Sequence, residues 1–165
     1  MIRKEVVQRA QSEVAQKLNT VRIFILKELS IMEESLFLVS KNYDSATIKT
    51  MLNFDYCSMV PIVLQDTATM SPYVKVAAHG MRSSGLRIVS SHELSSYVHD
   101  PAVYTIPLMH SNQATASNER VRDVMVLEVA VPVFNDTGDV LSVYYGGKIL
   151  NKNFDFIDKV HDLVF

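Results

Sequence analysis

Residues 123–134 read DVMVLEVAVPVF, residues 135–138 read NDTG, and residues 140–150 read VLSVYYGGKIL. The two flanks are rich in Val, Leu, Phe and Tyr, and the link between them is turn chemistry. The pattern predicts an antiparallel hairpin. Glu128 interrupts the first apolar flank. It faces solvent, faces a cavity, or pairs with a base such as Lys148, and the hairpin register decides among these.

Working outward from the hairpin, residues 151–164 read as a helix with Phe154, Ile157, Val160, Leu163 and Val164 on one face. Upstream, residues 102–109 are β-prone, and Pro107 marks an edge strand. Residues 111–119 lack apolar anchors and read as an exposed loop. Residues 85–90 (GLRIVS) read as a strand, followed by a short helical turn at 91–94. Ser71-Pro72 is an N-cap with proline at the first helical position, and this helix stops at Gly80. Residues 54–65 are apolar, and Pro61 divides them into two short expected strands. Asp44 or Ser45 caps a short helix running to about Asn53.

Residues 2–42 contain no Gly or Pro, and their apolar residues follow a heptad repeat. One row is Val7, Val14 and Val21; the other is Leu18, Ile25, Met32 and Val39. About 40 helical residues span roughly 60 Å. A compact domain of this size is roughly 40 Å across. A single long helix therefore outreaches its domain, with a narrow exposed seam in its first half and a core-packed second half. The seam predicts a homodimer through the N-terminal helix. The expected fold is α+β: a long N-terminal helix packed on a central antiparallel sheet, and a short C-terminal helix. The expected division is a long dimerisation helix at 1–42 and one domain at 43–165.

The 165 residues fit one domain. A net charge of −2 with scattered basic residues gives no footprint for nucleic acid. No stretch approaches a membrane span. The lone Cys57 allows no internal disulfide, and amid apolar neighbours it reads as a buried small hydrophobe. His79, His92, His99, His110 and His161 lack the spacing of a metal or haem site, so no cofactor is expected. Gly146-Gly147 sits within a strand and lacks the remainder of a phosphate loop. It implies a bulge, or a close approach by a backbone or ligand. Ser83-Ser84-Gly85 has no nucleophile-elbow setting, and nothing points to catalysis.

The stretch from Val124 to Phe165 resembles the end of a Cache (PAS-like) sensor domain. The features carrying the likeness are Ala130-Val131-Pro132-Val133, the Asp136-Thr137-Gly138 turn, Tyr145-Gly146-Gly147, Leu150-Asn151-Lys152-Asn153-Phe154 and Ile157-Asp158-Lys159-Val160. Upstream, Ser71-Pro72-Tyr73-Val74 through Gly80 is similar to the helix covering the family's pocket, and Ser90 through Leu94 to the segment after it. The likeness covers roughly residues 53–165. It departs from the family at Ser58-Met59-Val60-Pro61, where a turn with Asp and Gly is usual. Gln65-Asp66 stands where an arginine is common, and residues 97–120 are short. These departures surround the pocket, so ligand identity does not carry over.

The resemblance implies an extracytoplasmic, periplasmic sensor of a bacterial histidine kinase or chemotaxis receptor, with membrane spans flanking the chain. It places a small-molecule pocket on one face of the sheet. Strand alternation puts Ser142, Tyr144, Gly146 and Lys148 on a common face. With Arg87, Tyr104, His110 and Arg122 they offer cationic and hydroxyl donors suited to a small carboxylate or other anion. A cytosolic PAS- or GAF-like module working by protein contact is the alternative, and a small enzyme such as an acyltransferase is the third.

Overall fold

A computed structural model describes residues 2–62, 70–104, 106–107, 120–121 and 123–164. The fold is α+β, with a long N-terminal helix, a four-stranded antiparallel sheet and a short C-terminal helix. Helix α1 spans Ile2–Val39 without interruption. Helix α2 (Ser45–Met51) begins at Asp44, whose carboxyl accepts from the Ala46 and Thr47 amides at 2.9 Å. These bonds hold the exposed Asp44 carboxyl below the usual aspartate range.

The sheet order is β1 (Tyr56–Pro61), β6 (Val140–Ile149), β5 (Val124–Phe134), β2 (Ser83–Val89). The hairpin forms as expected. At its turn the Asn135 side chain accepts from the Thr137 and Asp139 amides, and Gly138 takes φ +89°. Helices α3 (Pro72–Ala78) and α4 (Ser91–Leu94) start at the caps Ser71 and Ser90. The first strand expected at 54–65 is β1, and Pro61, with no amide proton to donate, ends it at the sheet edge; the second falls on residues of which 63–65 lie outside those described. The strand expected at 102–109 is a 3₁₀ turn over Pro101–Tyr104, capped by Asp100, followed by the short strand β3 (Ile106–Pro107). Strand β3 pairs with β4 (Arg120–Val121).

Register divides the sheet's side chains between two faces. On one lie Tyr56, Gly147, Glu128 and Gly85, which are partners across all four strands. This face carries the core cluster of Val124, Val126, Ala130, Val143, Tyr145 and Ile149, joined by Val74 and Ala77 of α3 and Leu94 of α4. The opposite face carries Cys57, Gly146, Val129 and Ser84. Its Ser84 donates to Glu33 of α1 at 2.8 Å. Both faces of β5 are buried, which explains its nearly continuous apolar sequence.

The chain forms two compact units. One, residues 29–152, holds the sheet together with the buried Leu29, Met32 and Leu36 of α1. The other comprises residues 1–28 and 153–165. There, Phe24 of α1 meets Phe156 of helix α5 (Phe154–Val164) with ring centroids 5.5 Å apart. The partly buried stripe of α5 is Phe156, Val160 and Val164, whereas Phe154, Ile157 and Leu163 are exposed. The α1 seam divides as its heptads require: Val7, Val14 and Leu18 are exposed, while Met32 is 4% exposed.

Candidate functional site

Glu128 is the most buried charged side chain among the described residues, with no solvent exposure. A carboxyl in such a place has to be hydrogen-bonded. Three elements meet that need. The Tyr56 hydroxyl of β1 donates to Oε1 at 2.8 Å, and the Ser71 hydroxyl at the α3 N-cap donates to Oε2. Arg87 of β2 adds Nε to Oε2 at 3.1 Å and Nη2 to Oε1 at 3.4 Å. The guanidinium then reaches outward, with Nη1 2.7 Å from Oε1 of Glu93 on α4.

Two glycines make room for this cluster. Gly85 and Gly147 flank Glu128 on the neighbouring strands. A Cβ on Gly147 would stand 2.6 Å from the Tyr56 ring, and one on Gly85 would collide with the Tyr73 hydroxyl. On the other face, Gly146 makes way for the Phe54 ring. The register shift in the hairpin lies at Val133/Phe134, away from the glycines. The Gly-Gly pair therefore answers close approach by aromatic rings rather than a bulge.

Beside the cluster, on the same face, lies a cavity of about 600 Å³. Val60, Met70 and Val74 form its apolar wall, and Ser71, Arg87, His92, Glu93, Ser96, Tyr97 and Tyr145 supply polar atoms. The rings of Tyr56 and Tyr97 stack at 5.0 Å, and Tyr145 meets both edgewise. Burial raises the Tyr56, Tyr97 and Tyr145 hydroxyls above the usual phenol range. Nearby glutamate charge adds to each shift, so these hydroxyls stay protonated and neutral. Burial alone would lower the Arg87 pKa, but Glu128 and Glu93 outweigh it and raise it.

Of the residues expected at the site, Arg87 lines the cavity. Tyr144 and Lys148 lie on the opposite face, because Leu127, not Glu128, is the register partner of Lys148. Tyr144 donates to the Tyr43 carbonyl at 3.1 Å, and the Lys148 ammonium stands 6.0 Å from the Phe54 ring centre. Lys148 is thus no partner for Glu128. Tyr104 donates to Asp55 at 3.4 Å and is not among the residues lining the cavity. His110 and Arg122 lie outside the described residues, as does the loop expected at 111–119.

Tyr56, Ser71, Glu93 and Tyr97 escaped the sequence reading. Their one legible signal is Glu128 in an apolar strand, which demands donors from elsewhere in the chain. Among the described residues, no group of three or more His, Cys, Asp or Glu side chains could hold a metal ion.

Strand β2 joins the cavity to α1. Its Arg87 faces the cavity, while its Ser84 bonds Glu33 on the reverse face. Just before it, Arg82 pairs with Glu34 at 2.7 Å and lies over the Phe37 ring. No family model, curated protein or solved structure matches this chain.

Proposed function

We propose that the chain is the ligand-sensing input domain of a membrane-bound receptor, extracytoplasmic in the manner of Cache domains. Kinase or chemotaxis output would reside elsewhere in that protein. The observation that carries this reading is the cavity beside the Arg87–Glu128 cluster, which combines an apolar wall with a few convergent polar groups, as small-molecule pockets do. The cluster saturates its carboxyl with donors, which suits a fixed framework better than a reacting group. We assign it no catalytic step.

The relay is physical. A ligand that binds one arrangement of Arg87 and α4 more tightly than another shifts the population between them. Strand β2 carries that shift to Glu33 and Glu34 of α1. No helix among the described residues is long and apolar enough to cross a membrane, so the receptor reading places the spans outside them. The exposed apolar seam of α1 supports pairing with a second copy.

A thermal-shift screen of the purified chain against a chemically diverse small-molecule library tests the reading. Specific binding stabilises the folded state by about 2.7 kcal/mol at a hundredfold excess over Kd. Ser96 is exposed at the cavity, so Ser96→Trp blocks it without touching the core. A saturable shift that vanishes in this variant is expected. No shift from any compound, or equal shifts in both proteins, would remove the ligand-sensing reading.

A further inference from the structure

The charges around the cavity favour one class of ligand. Both Glu128 oxygens are already engaged by Tyr56, Ser71 and Arg87. Arg87 is therefore not a free anion receptor: its Nε and Nη2 point at Glu128, and its Nη1 is held by Glu93. Counted formally among the described residues, two carboxyls face one guanidinium, leaving one excess negative charge; His92 is the other ionisable group that these residues bring to the wall apart from the tyrosines. An incoming carboxylate would have to displace Glu93 from Arg87 or stand beside it uncompensated.

Glu93 is differently placed. Its side chain is 31% exposed at the cavity, and only its Oε1 is taken, by Arg87. Among the described residues, Oε2 has no partner. Close by stand the rings of Tyr97 and Tyr145, with centroids 5.7 Å apart. Aromatic faces attract cations electrostatically, most strongly where water is excluded. Burial, with Glu93 and Glu128 adding to it, raises the Tyr97 hydroxyl pKa, as expected where the local potential is negative. Across the cavity, Val60, Met70 and Val74 offer a surface for hydrocarbon.

Resting on the reading of this cavity as a ligand pocket, we propose that its ligand is a small organic cation, an ammonium with an apolar body. The ammonium bonds the free oxygen of Glu93 against the tyrosine wall, and the apolar body lies on Val60, Met70 and Val74.

Isothermal titration of the whole chain with matched probes tests this: phenethylamine, 2-phenylethanol and 3-phenylpropionate, then the butyl and cyclohexyl analogues of each. The amine of at least one series is expected to bind about tenfold or more tightly than its alcohol, the difference that a hydrogen bond to a charged group supplies. Its carboxylate is expected to bind more weakly still. Glu93→Gln keeps an acceptor for Arg87 while removing the charge. It is expected to abolish the preference for amine over alcohol while melting near the parent temperature. A carboxylate that binds best, an amine whose affinity Glu93→Gln leaves unchanged, or amines that fail to bind at all would overturn the proposal. If a carboxylate or alcohol binds and Ser96→Trp blocks it, the cavity remains a ligand pocket and only the charge assignment falls.

Discussion

Replacing Arg87 by Met tests whether the buried cluster holds the sheet face together. The substitution keeps most of the side-chain stem and removes the guanidinium. Glu128, which has no solvent exposure, then loses two of its four hydrogen bonds and its counter-charge. Removing one partner of a buried ion pair costs about 3–5 kcal/mol, because the other is left uncompensated. The Arg87 side chain is 17% exposed beside an open cavity, which lets water approach and favours the low end, about 3 kcal/mol. The lost contact with the partly exposed Glu93 adds at most about 1 kcal/mol. At ~2–4 °C per kcal/mol for a chain of this size, Tm falls by roughly 6–16 °C. Urea unfolding followed by circular dichroism gives the free energy, and Glu128→Gln completes a double-mutant cycle. With both charges gone, the Gln carbonyl still accepts from Tyr56 or Ser71. The double variant is therefore expected to recover about 1.5 kcal/mol or more relative to the sum of the singles. A cost below about 1 kcal/mol for Arg87→Met, or an additive cycle, would show that the cluster is not the coupled unit described here.

Gly147→Ala drives a methyl group into the Tyr56 ring, 2.6 Å away, and is expected to lower stability by about 1–3 kcal/mol in urea unfolding; a neutral result would show that the ring shifts freely. Burial pushes the Cys57 thiol up to about 12. At pH 8 its alkylation by iodoacetamide should therefore run roughly a hundredfold or more slower than that of a free cysteine, and a comparable rate would contradict the effect of its partial burial. The raised pKa values also set the alkaline limit. The folded state keeps protons on Cys57, Tyr56 and Tyr145 that the unfolded chain releases. Stability is thus full below about pH 9 and falls as pH rises, with the Cys57 part lost between about 9 and about 12, so Cys57→Ala should flatten the first stretch of a melting curve against pH. Val14 and Leu18 are exposed on the α1 seam, and Val14→Glu with Leu18→Glu should convert a dimer into a monomer in sedimentation equilibrium while leaving the sheet's far-UV signal unchanged; a parent chain that is monomeric at all concentrations would refute the seam.

Much of the element order was legible because its signals are local. The heptads of α1, the Ser71-Pro72 start of α3, the Asn-Asp-Thr-Gly turn and the apolar flanks of β5 and β6 each act within a few residues. The failures were local too, where two signals competed. The β-prone residues 102–104 turn instead, because Asp100 caps the segment and Pro101 sets its φ. On α5 the apolar residues outnumber one face. Packing with Phe24 goes to Phe156 and leaves Phe154 exposed, a choice no periodicity within α5 contains.

The site was legible only in fragments, and register is the reason. Alternation correctly put Tyr144 and Lys148 on one face of β6, but nothing in β6 says which face meets the cavity. Pairing with β1 and β5 decides that. A one-residue slip would exchange the two sets, and the observed register places Tyr145 and Gly147 toward Glu128. A long helix leading into an antiparallel α+β domain was readable from the residues alone, since propensity, capping and turn chemistry depend on neighbours in the chain. That Glu128 meets Tyr56, Ser71 and Arg87, and that Arg87 answers two carboxyls, came from the folded arrangement. The contacts to Glu128 join residues from about 40 to about 70 positions apart, and a buried carboxyl demands donors without specifying which part of the chain must supply them.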